Sequence, residues 1–132
     1  MVRQAVVKKG LAFGLPLAIA GILGFGPVGA SAKTPAIPTA ALAELPEQAQ
    51  QTYRRVLAGG PFPYPKDGVV FGNRERLLPA RSRGWYREYT VTTPGASDRG
   101  PKRMVCGGKR PTAPEACWYT ADHYASFFLI AP

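Results

Sequence analysis

A single stretch of this chain, Pro46 to Ala58, carries a clear helical period, and the apolar spacing turns strand-like after it. That one switch constrains the fold more than any other feature. Ala49, Tyr53, Val56 and Leu57 recur at helical spacing and make one apolar stripe. Pro46 suits a first helical position, where its missing N–H costs nothing. Gly59-Gly60 end the helix, and Arg54 and Arg55 lie near its negative end. "GGPFPYPKDG" is a Pro- and Gly-dense loop. Strand patterns follow at Gly68–Phe71, Trp85–Thr93, Lys102–Cys106, Cys117–Ala121 and Tyr124–Ile130. One helix followed by a run of strands predicts an α+β fold, a helix packed on one face of an antiparallel sheet. The second face of such a sheet is expected to be wet.

The first 32 residues read differently. Arg3, Lys8 and Lys9 precede the apolar run "LAFGLPLAIAGILGFGPVGA", and Ala30-Ser31-Ala32 offers a small-x-small cleavage site. That order predicts a secretory signal peptide over 1–32 and a single domain over 33–132. Glycines and two prolines break the run, which disfavours a membrane anchor. Lys33 to Ala40 reads as an extended start. Cleavage removes three of the 17 basic residues and none of the eight acids, leaving a net charge of +6 on 100 residues. The expectation is a secreted, basic protein with no stable membrane association, suited to a polyanionic partner or simply soluble through its charge. Export also makes a disulfide between Cys106 and Cys117 permissible, across a turn-rich loop, with two unpaired thiols as the alternative. Two cysteines without histidine companions make a poor zinc site.

Three weaker signals carry chemistry. In "WYREYTV", alternation points Tyr89 and Val91 toward the helix and Tyr86, Glu88 and Thr90 to the other face. Taken alone, Glu88 is an ordinary surface glutamate. The only histidine, His123, stands between Asp122 and Tyr124; taken alone, it is a turn residue. "DRGPKR" supplies Arg99, Lys102 and Arg103, which suit phosphate but also a solvated turn. Together they fit one reaction. RNA carries its own nucleophile, the ribose 2′-hydroxyl, so cleavage requires a base, an acid on the opposite side and cations for the phosphoryl oxygens. Glu88, His123, and Arg99 with Arg103 supply these, with no metal and no cofactor required, and the pair predicts a bell-shaped pH profile.

"GPFPYPKDGVVFGNRERLLP", "YREYTVTTPGASDRGPKR" and "YTADHYASFFLI" resemble the bacterial guanyl-specific ribonucleases, a family that also takes in more distant bacterial and fungal enzymes. The resemblance runs from about Leu42 to Ile130. It implies a helix on a twisted antiparallel sheet, the microbial ribonuclease fold. It implies a secreted endoribonuclease cutting single-stranded RNA 3′ of guanosine, through a 2′,3′-cyclic phosphate that is hydrolysed to a 3′-phosphate. On this likeness the base falls on Glu88, the acid on His123 and the phosphate-binding arginines on Arg99 and Arg103. Glu75 resembles the carboxylate that accepts two hydrogen bonds from the guanine edge, which adenine does not offer. Backbone groups around Asn73 and Arg74 resemble those that bind O6. Phe71 and Tyr124 resemble the aromatics that sandwich the base, and Tyr86 joins them as a substrate-side aromatic.

The sequence departs from the family at three points. Gly72 stands where a bacterial member has glutamine, Lys102 replaces an arginine and so loses the planar fork, and Ala41 occupies one position of the family's terminal disulfide. The expectation is a relocated bond, Cys106–Cys117. The resemblance also implies a cis Gly60-Pro61 bond and an acidic, barstar-like inhibitor protein as a partner. A monomer is expected. The alternative function is a catalytically weak RNA-binding protein on the same fold; the intact set Glu88, His123, Arg99 and Arg103 argues for the enzyme. A membrane-acting cationic protein ranks below both, because the helix lacks a basic amphipathic face.

Overall fold

The computed structural model describes residues 36–132. The expected signal segment and the boundary at residue 33 lie outside the described residues. Among those residues no helix is long and apolar enough to cross a membrane.

The helix α1 spans Glu47–Ala58, so Pro46 is its N-cap rather than its first residue. Gly59 ends it with φ 80°, and the amides of Gly59 and Gly60 donate back to Val56 O and Arg55 O. A left-handed φ of this kind is one that glycine adopts without a side-chain penalty. The buried stripe is Ala49, Thr52 and Val56. Leu57 was expected in it but is 46% exposed, because it lies about 100° further round the helix than Val56. Thr52 takes the inward place, and its hydroxyl donates to Thr90 O at 3.0 Å. Full burial of Val56 contributes roughly 1.5–3 kcal/mol.

Six strands form one sheet: β1 Thr39–Ala41, β2 Val69–Val70, β3 Tyr86–Thr90, β4 Arg103–Gly107, β5 Ala116–Thr120 and β6 Phe128–Ala131. Their order is β1-β6-β5-β4-β3-β2. Every pairing is antiparallel except β1 with β6. The α+β expectation therefore holds, with two corrections. The start expected to be merely extended is an edge strand, pinned where Leu129 N donates to Pro38 O at 2.8 Å. The last strand begins at Phe128 rather than Tyr124, because His123 and Tyr124 take left-handed φ values of 54° and 74°, which no strand accommodates. The Gly60-Pro61 peptide is cis.

The helix packs on the face carrying Tyr89, Val91, Met104, Cys106, Cys117, Tyr119 and Ile130. The opposite face was expected to be wet, yet every β3, β4 and β5 residue on it except Glu88 and Ala116 is buried. Tyr86, Val105 and Trp118 bury themselves there under Leu78 and Phe127, from the loops that follow β2 and β5. Aromatic and branched side chains at alternate positions of both faces leave too much apolar surface for one side to stay in water.

Cys106 and Cys117 are bonded, and they stand directly opposite each other on β4 and β5. Closing a loop of this length stabilises by about 2–3 kcal/mol in the chain-entropy treatment. The paired substitution Cys106→Ala, Cys117→Ala is expected to lower unfolding free energy by that amount in urea titrations. A thiol assay on the native protein should find none reactive; two would contradict the bond.

Candidate active site

Cross-strand register explains how distant residues converge. Arg103 opens the central strand β4, with Thr90 of β3 on one side and Thr120 of β5 on the other. Glu88 lies two residues back along β3, on the same face. His123 follows three residues after Thr120. The face is thus apolar at the Tyr86–Trp118 end and polar at the Glu88–Arg103–Thr120 end, and the polar end carries the expected site.

Glu88 is partly buried and held by two neighbours. Arg99 Nη2 donates to Oε1 at 3.4 Å, and the Tyr124 hydroxyl donates to Oε2 at 2.8 Å. Arg99 is itself fixed, because its Nε donates to Thr90 Oγ1 at 2.9 Å. Burial, and then the hydrogen bond to Glu88, push the Tyr124 phenol up to about 12. Tyr124 is therefore a neutral donor at any ordinary pH. Arg103 lies close enough to that phenol to pull in the opposite direction.

Arg103, expected to bind phosphate with a solvated turn as the alternative, is only 4% exposed. Its Nη1 donates to Gly100 O at 2.7 Å and Lys102 O at 2.8 Å, while its Nε is buried with no acceptor among the described residues. A buried donor left unmade is costly, and guanidinium forks suit anionic oxygens.

His123 and Tyr124 ride on a turn built by Asp122. Thr120 Oγ1 and the Ser126 hydroxyl and amide all donate to its carboxylate. Those bonds, the Ser126 hydroxyl foremost, hold the Asp122 carboxyl below its ordinary value. The turn therefore gains stability above the usual aspartate range and loses it as pH falls through the lowered value. Tyr124 N donates to Thr120 Oγ1, and His123 N donates to Pro101 O at 3.0 Å. This last bond ties the histidine's loop to the arginine-bearing one. The His123 side chain is exposed.

The segment after β2 is braced by Asn73. Its side chain donates to Leu78 O at 3.0 Å and accepts from Leu78 N at 3.1 Å. Both polar ends of that side chain are committed, which leaves the tip, Arg74 and Glu75, as the presenting surface. Glu75 is exposed. Phe71 and Tyr124 stack directly at 5.0 Å and 28°, so a base enters between them only if the rings part.

A cleft of about 740 Å³ gathers these parts: Glu88 and His123 line it together with Phe71, Asn73, Arg74, Glu75 and Tyr124. Arg99 holds Glu88 from outside the lining, and Arg103 neighbours Tyr124. Three expected site residues do not line the cleft: Arg99, Arg103 and, in the core, Tyr86. Tyr86 is 3% exposed, its hydroxyl donates to Pro79 O, and its ring packs on Trp118. The sequence reading missed the Tyr124–Glu88 hydrogen bond and the Asp122 turn. The second had a signal, an Asp four residues before a Ser in a loop.

A ribonuclease family model matches residues 29–131. Guanyl-specific ribonuclease Sa from Kitasatospora aureofaciens is 50% identical over 92 residues, which cover 70% of this chain and 92% of the relative. Guanyl-specific ribonuclease St from Saccharopolyspora erythraea is 50% identical over 88 residues, 67% of this chain and 82% of the relative. Among solved structures, ribonuclease Sa2 with guanosine-2′-cyclophosphate matches with TM-score 0.66 and 44% identity, over 74% of this chain and 98% of that one.

Proposed function

This chain belongs to the ribonuclease family, and we propose from the placement of Glu88 and His123 that it cuts RNA after guanosine by transphosphorylation. The observation that carries this reading is the single cleft shared by a carboxylate, an imidazole and the Phe71–Glu75 base-binding segment. The activity is that of a guanyl-specific endoribonuclease.

Guanine enters against Glu75, whose two oxygens accept its N1–H and 2-amino hydrogens, and the ring seats on Phe71. Glu88 removes the proton of the 2′-hydroxyl. O2′ forms its bond to phosphorus as the bond from phosphorus to O5′ breaks, and His123 delivers a proton to the departing O5′. Guanosine 2′,3′-cyclic phosphate remains. In the second step the roles reverse: His123 takes a proton from water, the water oxygen forms its bond to phosphorus as the bond from phosphorus to O2′ breaks, and Glu88 returns its proton to O2′ to leave a 3′-phosphate. Arg99 and Arg103 face the negative charge of the phosphoryl oxygens, and the unpaired Nε–H of Arg103 is suited to donate to one. Tyr124 gives up its bond to Glu88 when the rings part, and that frees the carboxylate to act as base.

Residues 1–32 carry the features of a secretory signal, and the protein acts outside the cell as a monomer. An acidic inhibitor protein that presents carboxylates to the same cleft would protect the producing cell. Digestion of a defined RNA in EDTA tests the activity. Ends should map after guanosine and carry a 2′,3′-cyclic phosphate at early times. Cuts without guanosine enrichment, or a requirement for added metal, would overturn it.

A further inference from the structure

A second cleft, of about 530 Å³, lies on the other side of the Val70–Arg74 segment. It shares that wall with the first cleft but contains neither Glu88 nor His123. Three arginines line it, Arg74, Arg81 and Arg83, and no carboxylate among the described residues does. Its floor is the buried Tyr86 ring, whose hydroxyl is spent on Pro79 O. The Arg81 guanidinium lies 4.5 Å from the centroid of the Trp85 ring, a cation–π contact that restrains it. Gly72 puts no side chain into the shared wall, and Arg74 lines both clefts.

Three guanidiniums around one concavity repel each other unless an anion joins them, and planar forks match phosphate oxygens. We propose that this second cleft binds a non-scissile phosphate of the RNA whose guanosine occupies the first. The inference rests on the ribonuclease reading. RNA continues past the guanosine in both directions with one phosphate per nucleotide, so a strand seated on Phe71 carries an anion toward either neighbour. The site makes Tyr86 a floor for the flanking nucleotide and gives Arg81 and Arg83 the role of reading strand length, with no part in the reaction itself.

The test compares kcat/KM on three substrates: GpC, which has only the scissile phosphate, CpGpC, extended on the 5′ side, and GpCpC, extended on the 3′ side. The variant is Arg81→Ala with Arg83→Ala. The charge control is Lys109→Ala with Arg110→Ala, an exposed pair in the disulfide loop. One extended substrate should be cut at least about tenfold less efficiently by the Arg81/Arg83 variant, a loss in the range of a charge-assisted hydrogen bond. GpC should stay within about twofold, and the control should change neither. Whichever trimer responds identifies the side from which the phosphate comes. Equal loss on all three substrates, equal loss in both double variants, or no loss on either trimer would overturn the subsite. A wild type that cuts GpC while the trimers show no difference leaves the ribonuclease reading standing and removes only this inference. A wild type that leaves GpC intact removes both.

Discussion

Glu88→Ala is expected to lose roughly 10²- to 10⁴-fold in kcat/KM on GpC, the range a positioned general base supplies. The fold should survive it. Glu88 belongs to neither apolar cluster, and its partners Arg99 and Tyr124 are only partly buried and reach solvent. Glu88→Gln is the sharper variant, because it keeps an oxygen for the Tyr124 hydroxyl and removes the basicity alone. His123 needs more care. Its φ of 54° is left-handed, so alanine adds backbone strain to the loss of the imidazole. Asparagine tolerates that conformation, and His123→Asn is expected to show the loss with the turn intact. The double variant should cost little more than the worse single one, since base and acid act in one step. Activity within about threefold of wild type in either single variant would remove that residue from the mechanism.

The second large effect concerns the base. Glu75→Gln replaces one acceptor oxygen with a donor amide, so guanine's two donors then meet one acceptor and one opposing donor. The ratio of GpC to ApC cleavage is expected to fall on the order of 10²-fold or more, mostly through GpC. Leu78 and the Asn73 clamp are untouched, so melting temperature should not move. An unchanged ratio would place guanine recognition elsewhere, in backbone groups alone.

Much of this was legible in the sequence, for identifiable reasons. Gly59 marks the end of α1 because a left-handed C-cap favours glycine. The central strands β3, β4 and β5 follow from alternation, and the expected bond falls on directly opposed cysteines. Other features depend on distant contacts. β1 is three residues, Thr-Ala-Ala, with little pattern of its own; its pairing with β6 joins segments about ninety residues apart. Arg103 reads as a surface cation until β4 is known to be central and three carbonyls are seen around its Nη1. Tyr86 shows how alternation can mislead. It points to the expected face, but the 71–85 segment folds over that end, so the ring becomes core and its neighbour two residues on becomes site. The polar part of the face is where Glu88, Thr90, Arg103 and Thr120 follow one another across strands, and no single strand reveals that row.

The central claim is that Glu88 works as an ionised base and His123 as a protonated acid on one ribose-phosphate link. The pH dependence of kcat/KM on GpC tests this most directly, measured in wild type, Glu88→Gln and His123→Asn. Wild type should give a bell. Each variant should lose the limb that belongs to its missing group, the acid-side limb for Glu88→Gln and the alkaline-side limb for His123→Asn. A flat wild-type profile, or a bell that both variants keep unchanged, would contradict the account.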